Sequence, residues 1–344
     1  MPKVEKIDTR KTYEISEGNI LIFGDLHLSC TYEGSHKNYA HECYSNMEMI
    51  YDICIEKSPR AIIFLGDIIG VRERNLRDHQ FLMQVVMFFT KLNNLTYGQV
   101  FTVKGNHDIG DFADFDFLVG LGLLKNPKYI DYCRKDGTIE VRFHFLNYGE
   151  EHRSLDLASE LDGSTASDVA LGHADFFIEG VTNWYSARNG VEVNSLDNLQ
   201  GVDMLISGHI HEPSDEILYT TLTNGQTLGL FYTGSPSRVA ERIDSCWYMW
   251  FRYTDGETQY DAVKMKMELP ASEAFYAEEE LIGDEEEDER VYQSEKLSEY
   301  AKEIIESRLT TGNLFDQIDK VPGASKDVKE LAKSYLRMAI DEGN

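Results

Sequence analysis

Short apolar stretches that end in a glycine followed by a polar residue recur through the first two thirds of the chain. They occupy residues 20–25, 62–67, 101–108, 169–173 and 204–209. Runs of branched and aromatic residues bounded by glycine predict buried strands, and the glycine permits a sharp turn after each strand. The pattern therefore predicts five strands that each present a polar side chain directly after the carboxyl end.

Between the first of these strands the apolar residues adopt a helical spacing. Residues 47–55 and 81–92 each carry an apolar stripe, so both predict amphipathic helices. For 81–92, burial against the sheet and a homodimer interface are both open. Alternating strands and helices predict an α/β sandwich, whose functional crevice lies off the carboxyl ends of the strands. From residue 216 to 269 the pattern predicts strands alone, which we expect to be antiparallel and to close the same sandwich.

The last quarter of the chain differs in composition. Residues 278–289 include nine acidic residues in twelve, a density typical of a solvated linker. Two segments with helical apolar stripes follow, separated by Pro322-Gly323. We therefore divide the chain into a domain of residues 1–269, an acidic linker of residues 270–290 and a C-terminal helical pair of residues 291–344.

The net charge and the cysteines narrow the class of protein. Sixty acidic residues against 33 Lys and Arg give a net charge of −27, which disfavours nucleic-acid binding over the whole surface but permits local contacts through bound cations. Five scattered cysteines without a Cys-x-x-Cys pair disfavour a disulfide framework and a zinc ribbon. Since neither a membrane span nor a secretory signal can be drawn, we expect a cytoplasmic protein with no membrane association.

The polar residues that follow the five predicted strands are carboxylates, an amide and imidazoles. These residues are Asp25, His27, Asp67, Asn106, His107, His173, His209 and His211. A mixed nitrogen and oxygen donor set suits Mn²⁺, Fe²⁺ or Zn²⁺ better than Ca²⁺ or Mg²⁺. Because there are more donors than one ion needs, we expect two divalent ions that share one carboxylate. The expected metal is Mn²⁺, with Fe, Zn or Mg as the other candidates.

The five segments together resemble the motifs of the calcineurin-like metallophosphoesterase superfamily over about residues 18–240. The matching segments are Gly24-Asp25-Leu26-His27, Gly66-Asp67, Gly105-Asn106-His107-Asp108, Gly172-His173 and Gly208-His209-Ile210-His211. The resemblance implies the β-sandwich of that superfamily, flanked by helices, here with a small C-terminal helical segment. It also implies phosphoester hydrolysis by a metal-bound hydroxide, with no covalent enzyme intermediate.

Carried over residue by residue, the resemblance implies two ligand sets and one catalytic histidine. One metal would be held by Asp25, His27, Asp67 and His211, and the other by Asp67, Asn106, His173 and His209. Asp67 would bridge the two ions. His107 would bind no metal; it would face the scissile phosphate, where it stabilises the transition state or protonates the leaving oxygen.

Several further residues allow two interpretations each. Arg72 and Arg74 follow the second motif and are candidate substrate contacts, although charged residues in a loop are more often only solvated. Asp108 and Asp175 each either orient a neighbouring imidazole or cap a turn. For histidines outside the motifs, such as His144, we expect an ordinary place on a strand or at the surface.

Within the superfamily the chain is most similar to the SbcD-type DNA repair nucleases, the partner subunits of coiled-coil ATPases. Residues 25–29 resemble their first motif, residues 232–236 resemble their final Gly-Ser segment, and a linker with a helical pair follows the nuclease domain. The resemblance implies DNA as the substrate and an SbcC-like ATPase bound through the C-terminal helices. It also implies a location in the cytoplasm of a bacterial or phage-infected cell.

Two departures from that branch leave a second function open. Gly70 stands where the nucleases carry a histidine, and the protein phosphatases an aspartate, as the partner of the catalytic imidazole. The α/β capping domain has little room between residues 269 and 291, which fits a compact phage-type or minimal bacterial nuclease. The alternative is a stand-alone phosphodiesterase or phosphatase for a small phosphoester, and a non-enzymatic scaffold is a third class.

Overall fold

The computed structural model describes most of the first 269 residues of the chain. The described residues are 10–16, 18–29, 39–70, 79–109, 114–160, 166–178, 190–237, 245–253, 260–269 and 333. Arg72, Arg74, the acidic linker and all of the C-terminal helical pair except Lys333 lie outside them. The arginine contacts and the domain division at residues 269 and 290 therefore stay predictions.

The described part of the chain contains fourteen strands, three α-helices and short 3₁₀ turns. The strands are β1 (Thr12–Ser16), β2 (Ile20–Phe23), β3 (Ala61–Phe64), β4 (Val100–Thr102), β5 (Tyr129–Cys133), β6 (Ile139–Leu146), β7 (Ser167–His173), β8 (Phe176–Phe177), β9 (Val191–Glu192), β10 (Met204–Gly208), β11 (Leu218–Thr221), β12 (Thr227–Tyr232), β13 (Ser245–Tyr253) and β14 (Tyr260–Glu268). The helices are α1 (Tyr39–Lys57), α2 (His79–Leu95) and α3 (Asp114–Gly120). The 3₁₀ turns are Ala158–Glu160, Val193–Ser195 and Asp197–Leu199.

The strands form two sheets and one short two-stranded ribbon. The smaller sheet has the order β14-β13-β2-β3-β4, and the larger has the order β1-β5-β6-β7-β10-β12-β11. Three of the motif strands, β2, β3 and β4, are parallel neighbours in the smaller sheet. The other two, β7 and β10, are parallel neighbours in the larger sheet. This is the predicted α/β sandwich, with the carboxyl ends of all five motif strands at one end.

Three apolar layers hold the sandwich together. The central layer lies between the two sheets and includes Ile22, Ile63 and Phe143. The helices cover the other face of the smaller sheet, where the rings of Phe64 and Phe89 meet edge to face at 5.7 Å. A third cluster packs the 3₁₀ turns against the larger sheet. Because the central strands are buried on both faces, their sequences read as continuous apolar runs instead of alternating ones.

The apolar stripe of α2 packs inside the chain. Phe81, Val85, Phe89 and Leu92 are fully buried in the layer between the helices and the smaller sheet. This burial accounts for the stripe without a second copy of the chain, so a homodimer through α2 stays a prediction with no support from the packing. Among the described helices, none is long and apolar enough to cross a membrane.

Two expectations from the sequence are wrong in detail. The strands after residue 216 are not all antiparallel, because β12 pairs in parallel with β10 and antiparallel with β11. The hairpin between β11 and β12 reverses the chain, so β12 runs in the direction of β10. In α1 the predicted stripe is buried at Met47, Ile50 and Cys54, whereas Ile55 is 50% exposed. The pairing of β13 with β14 is antiparallel, as predicted.

Candidate metal centre

The polar residues of the five motifs lie together where the two sheets end. Two glycines allow the loops to approach this closely, since a Cβ on Gly208 would lie 2.1 Å from Asp25 Oδ1. A Cβ on Gly105 would likewise lie 2.1 Å from Asp67 Oδ1. Any larger residue at either position would displace a carboxylate. This explains why a glycine accompanies the polar residues that follow these strands.

The backbone is strained at three of the candidate ligands. His27, Asp67 and His209 have φ angles of 46°, 43° and 76°, in the left-handed region that non-glycine residues rarely adopt. Each such residue costs on the order of 1–3 kcal/mol and persists only when its surroundings fix it. The fold therefore gives up stability at these positions to point the three side chains inward.

We call Asp25, His27 and His211 the first donor group. One donor atom from each lies within 4.8 Å of the others. His27 Nε2 is 2.8 Å from His211 Nε2, and His211 Nε2 is 4.0 Å from Asp25 Oδ2. The structure thus brings together three of the four ligands predicted for one metal.

We call Asp67, His173 and His209 the second donor group, and Asn106 lies against it. His173 Nε2 is 3.2 Å from Asp67 Oδ2. Asn106 Oδ1 is 3.0 Å from His173 Nε2 and 2.9 Å from His209 Nδ1. All four ligands predicted for the other metal are therefore neighbours.

Asp67 joins the two donor groups. Its Oδ2 is 3.2 Å from His173 in the second group and 3.6 Å from His27 Nε2 in the first. Its Oδ1 accepts a hydrogen bond from the backbone N–H of His107 at 2.8 Å, which fixes the carboxylate plane. This is the position that a bridging carboxylate needs. The His107 ring also offers a donor atom within 4.8 Å of those of His27 and Asp67, so its assignment as a non-ligand stays a prediction.

Burial and mutual charge shift the ionisation of these groups. Burial opposes a charge on His173, but the carboxylates of Asp25 and Asp67 raise its pKa to about 9. Burial also opposes a charge on Asp67, but His173 holds the pKa of that carboxyl far below its usual range. Burial lowers the pKa of His211 to about 4 and holds the pKa of His27 well below its usual range. Burial raises the pKa of Asp25 well above its usual range, so a proton on His173 balances chiefly the carboxylate of Asp67.

Two buried atoms of the site have no hydrogen-bond partner among the described residues, namely Asp25 Oδ1 and His27 Nδ1. Leaving a buried polar atom unpaired is costly, and a bound cation would satisfy the carboxylate oxygen. The Leu65 carbonyl, 2.7 Å from His173 Nδ1, can only accept, so Nδ1 carries a proton. A cation that replaced the proton on Nε2 would meet an Nε2 lone pair directed toward the second donor group. The donor types and the unpaired oxygen fit two divalent cations.

Asp108 and Asp175, which the sequence leaves ambiguous, take different roles. Asp108 is buried and accepts hydrogen bonds from the backbone N–H groups of Ile68 and Gly105, at 3.1 and 2.9 Å. It therefore caps the turn and ties the loop after β3 to the loop after β4. Asp175 Oδ1 lies 3.5 Å from His209 Nε2, so this carboxylate orients an imidazole.

The backbone of Gly70 provides a partner for the imidazole of His107, the candidate catalytic residue. The sequence offers no side chain at position 70 for this contact. His107 Nδ1 is 3.0 Å from the Gly70 carbonyl, and a carbonyl can only accept a hydrogen bond. The proton of the neutral ring is therefore on Nδ1, and Nε2 is left for the substrate. A main-chain acceptor contacts His107 here, where the resemblance implies a side-chain partner in the nucleases and the protein phosphatases.

Two serines that sequence reasoning did not single out brace the first donor group, and we call them the serine strap (Ser235 and Ser237). The hydroxyl of Ser235 donates to the carbonyl of Asp25 at 2.9 Å, and that of Ser237 donates to the carbonyl of Leu26 at 2.6 Å. The backbone N–H of Ser235 also donates to the carbonyl of His211 at 3.1 Å. The resemblance of residues 232–236 to a family segment was the one signal that pointed to this loop.

His144 belongs to a separate group on the outer face of the larger sheet, the outer polar cluster (Asp131, Arg142, His144 and Asp168). Its Nε2 is 2.8 Å from Asp168 Oδ1. Arg142 donates to both carboxylate oxygens of Asp131, at 2.5 and 2.8 Å. His144 is therefore a buried, paired residue of a strand, as its position outside the motifs predicts.

The candidate metal centre opens to solvent on one side. Asp25, His27 and His173 are completely buried, whereas the side chains of His209 and His211 are 24% and 26% exposed. A substrate therefore reaches the site from the side of His209 and His211.

The chain is similar to a known protein family. A family model described as calcineurin-like phosphoesterase matches residues 18–213. No curated protein sequence matches the chain. Solved structures similar to this chain include a 5′-nucleotidase precursor from Thermus thermophilus, with 12% identity over 84% of this chain and 59% of that chain and a TM-score of 0.42. The chain thus spans 59% of the length of that precursor.

Two further structures match over most of their own length. The phosphoesterase Yfce from E. coli is 15% identical over 73% of this chain and 100% of that chain, with a TM-score of 0.34. A dimetal phosphatase from Danio rerio is 13% identical over 74% of this chain and 99% of that chain, with a TM-score of 0.42. At this level of likeness none of the three says anything about the substrate of this protein.

The family model covers more than half of the chain and includes every candidate ligand from Asp25 to His211. Its members hydrolyse phosphoesters with divalent metal ions, and the two donor groups offer ligand types that suit such ions. This chain belongs to the calcineurin-like phosphoesterase family.

Proposed function

We propose that this protein is a metal-dependent phosphodiesterase that cleaves DNA. The observation that carries the hydrolytic chemistry is the convergence of two donor groups on Asp67, with the imidazole of His107 beside them. DNA as the substrate is supported by the similarity of residues 25–29 and 232–236 to SbcD-type nucleases. Mn²⁺ is the proposed metal because the donors mix imidazole nitrogen with carboxylate and amide oxygen.

Different residues would bind the cations and transfer the proton. Two bound divalent cations would supply positive charge to the phosphate oxygens and activate water for in-line attack. The first donor group would hold one cation and the second, with Asn106, the other, and Asp67 would touch both. His107 would act as an imidazolium: its Nδ1–H donates to the Gly70 carbonyl, and its Nε2–H donates a hydrogen bond or a proton to the leaving oxygen.

The charges at the opening favour a diester over a monoester. Asp175 stands beside His209 at the exposed side of the site, and Asp25 and Asp67 lie behind it. A phosphomonoester carries close to two negative charges at neutral pH, whereas a diester carries one. Asp175, which holds neither cation in the proposed arrangement, would therefore repel the monoester more.

As the partner we propose an SbcC-like coiled-coil ATPase that binds residues 291–344. The support is the sequence, since the two amphipathic helices that it predicts after the acidic linker would need a surface that covers their apolar stripes. Co-expression of the full chain with such an ATPase should give a complex that co-purifies. A Leu331→Asp variant, altered in one stripe, should fail to co-purify while it keeps metal-dependent hydrolysis; equal co-purification of both chains would contradict the proposal.

A stand-alone phosphodiesterase or phosphatase for a small phosphoester is the second candidate. The net charge of −27 favours it, because an acidic surface makes few contacts with a polyanion. The replacement at Gly70 does not favour it, because the backbone carbonyl takes the place of the missing side chain.

The two functions are separated by substrate preference. The purified full chain with Mn²⁺ should cleave single- or double-stranded DNA and bis(p-nitrophenyl) phosphate, and should be poor on p-nitrophenyl phosphate. Excess EDTA should stop every reaction. If the monoester is hydrolysed far faster than any DNA, the nuclease proposal is wrong and the small-phosphoester function replaces it.

A further inference from the structure

We propose that Tyr148 is a stacking platform for a nucleobase of the substrate, next to the scissile phosphate. The inference rests on the proposed function, because it names the part of the substrate that the open side of the site recognises. It follows from where the fold fixes this residue and from how much of its ring is left uncovered.

The backbone of Tyr148 is tied to the loop that carries Asn106 and His107. Its N–H donates to the carbonyl of Lys104 at 2.8 Å, and the Asn147 side chain accepts from the Lys104 N–H at 2.8 Å. These two hydrogen bonds join the two residues after β6 to the segment that follows β4. The position of the ring is therefore set by the same framework that positions the candidate ligands.

The Tyr148 ring borders the second donor group at the opening. Its centroid is 5.9 Å from that of His209 and 6.4 Å from that of His173. The residue is 44% exposed. Of the large hydrophobic residues exposed in the described ranges, Ile55, Tyr97, Ile109, Tyr148 and Tyr219, it is the one in ring contact with candidate metal ligands.

A stacking platform suits the charge of this protein. An aromatic ring binds the π-face of any base without requiring a cation, so it adds affinity where an acidic surface cannot. A phosphate held at the donor groups places the adjoining nucleotide at the open side, where the uncovered part of the Tyr148 ring lies. An isolated exposed tyrosine would need no explanation. A tyrosine fixed at the mouth of a phosphodiesterase site contributes to substrate choice.

The test compares Tyr148→Ala with Tyr148→Phe on two phosphodiesters, one with nucleobases and one without any ring. The substrates are a dinucleotide and a glycerol phosphodiester, which has no ring. Tyr148→Ala should raise KM for the dinucleotide about 5- to 150-fold, the equivalent of about 1–3 kcal/mol per stacked base. Its kcat for the dinucleotide, its KM for the ring-free diester and its Mn²⁺ affinity should stay close to the wild-type values. Tyr148→Phe should behave as the wild type on both substrates.

Each other outcome decides against a specific part of the argument. Equal losses on both diesters, or weaker Mn²⁺ binding, would mean that Tyr148 only supports the ligands, and would overturn the stacking role. If the wild type cleaves DNA and the dinucleotide, and Tyr148→Ala has the same KM for the dinucleotide as the wild type, the stacking role is overturned and the nuclease function is not. A wild type that hydrolyses the ring-free diester but neither binds nor cleaves the dinucleotide would overturn both this inference and the nuclease function.

Discussion

The candidate metal centre and the outer polar cluster are both groups of buried carboxylates and histidines, yet they differ in how their polar atoms are satisfied. In the outer polar cluster, Asp168 accepts hydrogen bonds from His144 and from the backbone N–H groups of Ala158 and Ser159, at 2.8–3.0 Å. At the metal centre, Asp25 Oδ1 and His27 Nδ1 are buried without such partners among the described residues. Asp168 in the outer polar cluster finds its partners within the chain, whereas the candidate metal centre keeps donor atoms that a cation could bind.

The difference shows that a buried histidine beside a carboxylate does not by itself identify a site. Both clusters combine aspartates with histidines. The outer polar cluster lies on neighbouring strands of the larger sheet, whereas the candidate metal centre collects residues from the ends of strands in both sheets. The metal centre adds three features: unpaired donor atoms, left-handed backbone at candidate ligands, and glycines that let loops touch carboxylates. We expect substitutions in the metal centre to abolish chemistry and substitutions in the outer polar cluster to reduce stability.

The largest effect is expected for Asp67→Ala, because Asp67 lies between both donor groups. The variant should bind Mn²⁺ far more weakly and lose turnover by on the order of 10³–10⁴ or more, as expected for several kcal/mol of lost charge stabilisation. Its thermal unfolding in EDTA should be little changed or shifted upward. Metal titration by calorimetry and steady-state kinetics measure both quantities. The matched control is Asp168→Ala, which should keep full activity per folded molecule; an equal loss of activity there would erase the contrast between the clusters.

His107→Asn is expected to have the next largest effect, and it separates chemistry from metal binding. Turnover should fall by about 10²–10⁴, the usual contribution of a positioned acid or transition-state donor. The number of bound Mn²⁺ ions and the unfolding temperature should match the wild type. Loss of one ion would instead identify His107 as a ligand, in line with its proximity to His27 and Asp67.

Asp168→Ala is expected to change stability in a way that depends on pH. Removing this buried carboxylate leaves three hydrogen-bond donors without an acceptor. The free energy of unfolding at pH 7 should therefore fall by about 3 kcal/mol. Burial opposes ionisation of Asp168, but its hydrogen bonds from His144 and the backbone hold the pKa below its ordinary value. The contribution of this carboxylate is therefore present at neutral pH and is lost as the pH falls below about 4.

The same measurement reports on His144, whose pKa is lowered by burial. In the wild type, protonation of this ring in the unfolded chain should reduce stability as the pH falls below about 6.5. Urea unfolding in EDTA at several pH values should show the gap between wild type and Asp168→Ala narrowing toward acid. A gap that stays constant from pH 7 to pH 3 would contradict the assigned pairing.

The smallest effect is expected for the serine strap. Ser235→Ala removes a buried hydroxyl that donates to the Asp25 carbonyl, so it should lower the free energy of unfolding by about 1–2 kcal/mol. Ser58→Ala is the matched control, because the Ser58 hydroxyl donates to the carbonyl of Ile55 at the exposed end of a helix. Equal effects of the two substitutions would show that the strap does not brace the first donor group.

The sequence pattern predicts that the candidate ligands follow buried strands, because this pattern is local in the chain. A buried strand, a glycine and a polar residue recur five times, and parallel strands must bring their carboxyl ends together. Asn106 follows a strand of one sheet and His173 ends a strand of the other, so it is the family resemblance, and not strand pairing, that predicts their proximity. The helix stripes of 47–55 and 81–92 are predicted for the same reason, since a period of 3.6 residues reports directly on burial.

The parts that the sequence hides depend on contacts between distant segments. The partner of His107 is a backbone carbonyl. Because every residue has one, the residue type at that position does not predict the contact. The partner of His144 lies on the neighbouring strand β7, and nothing in either segment specifies the pairing of β6 with β7. The direction of β12 likewise depends on the β11 hairpin and on the choice of β10 as its neighbour.

The left-handed backbone at His27, Asp67 and His209 has a consequence for laboratory evolution. A selection that rewards heat resistance alone would gain by relieving these three conformations, and glycine is the residue that adopts them at no steric cost. Thermostable isolates from such a selection should accumulate glycine at these positions and become inactive. Requiring hydrolysis in every round should keep all three side chains, and stabilising changes should then collect elsewhere in the fold.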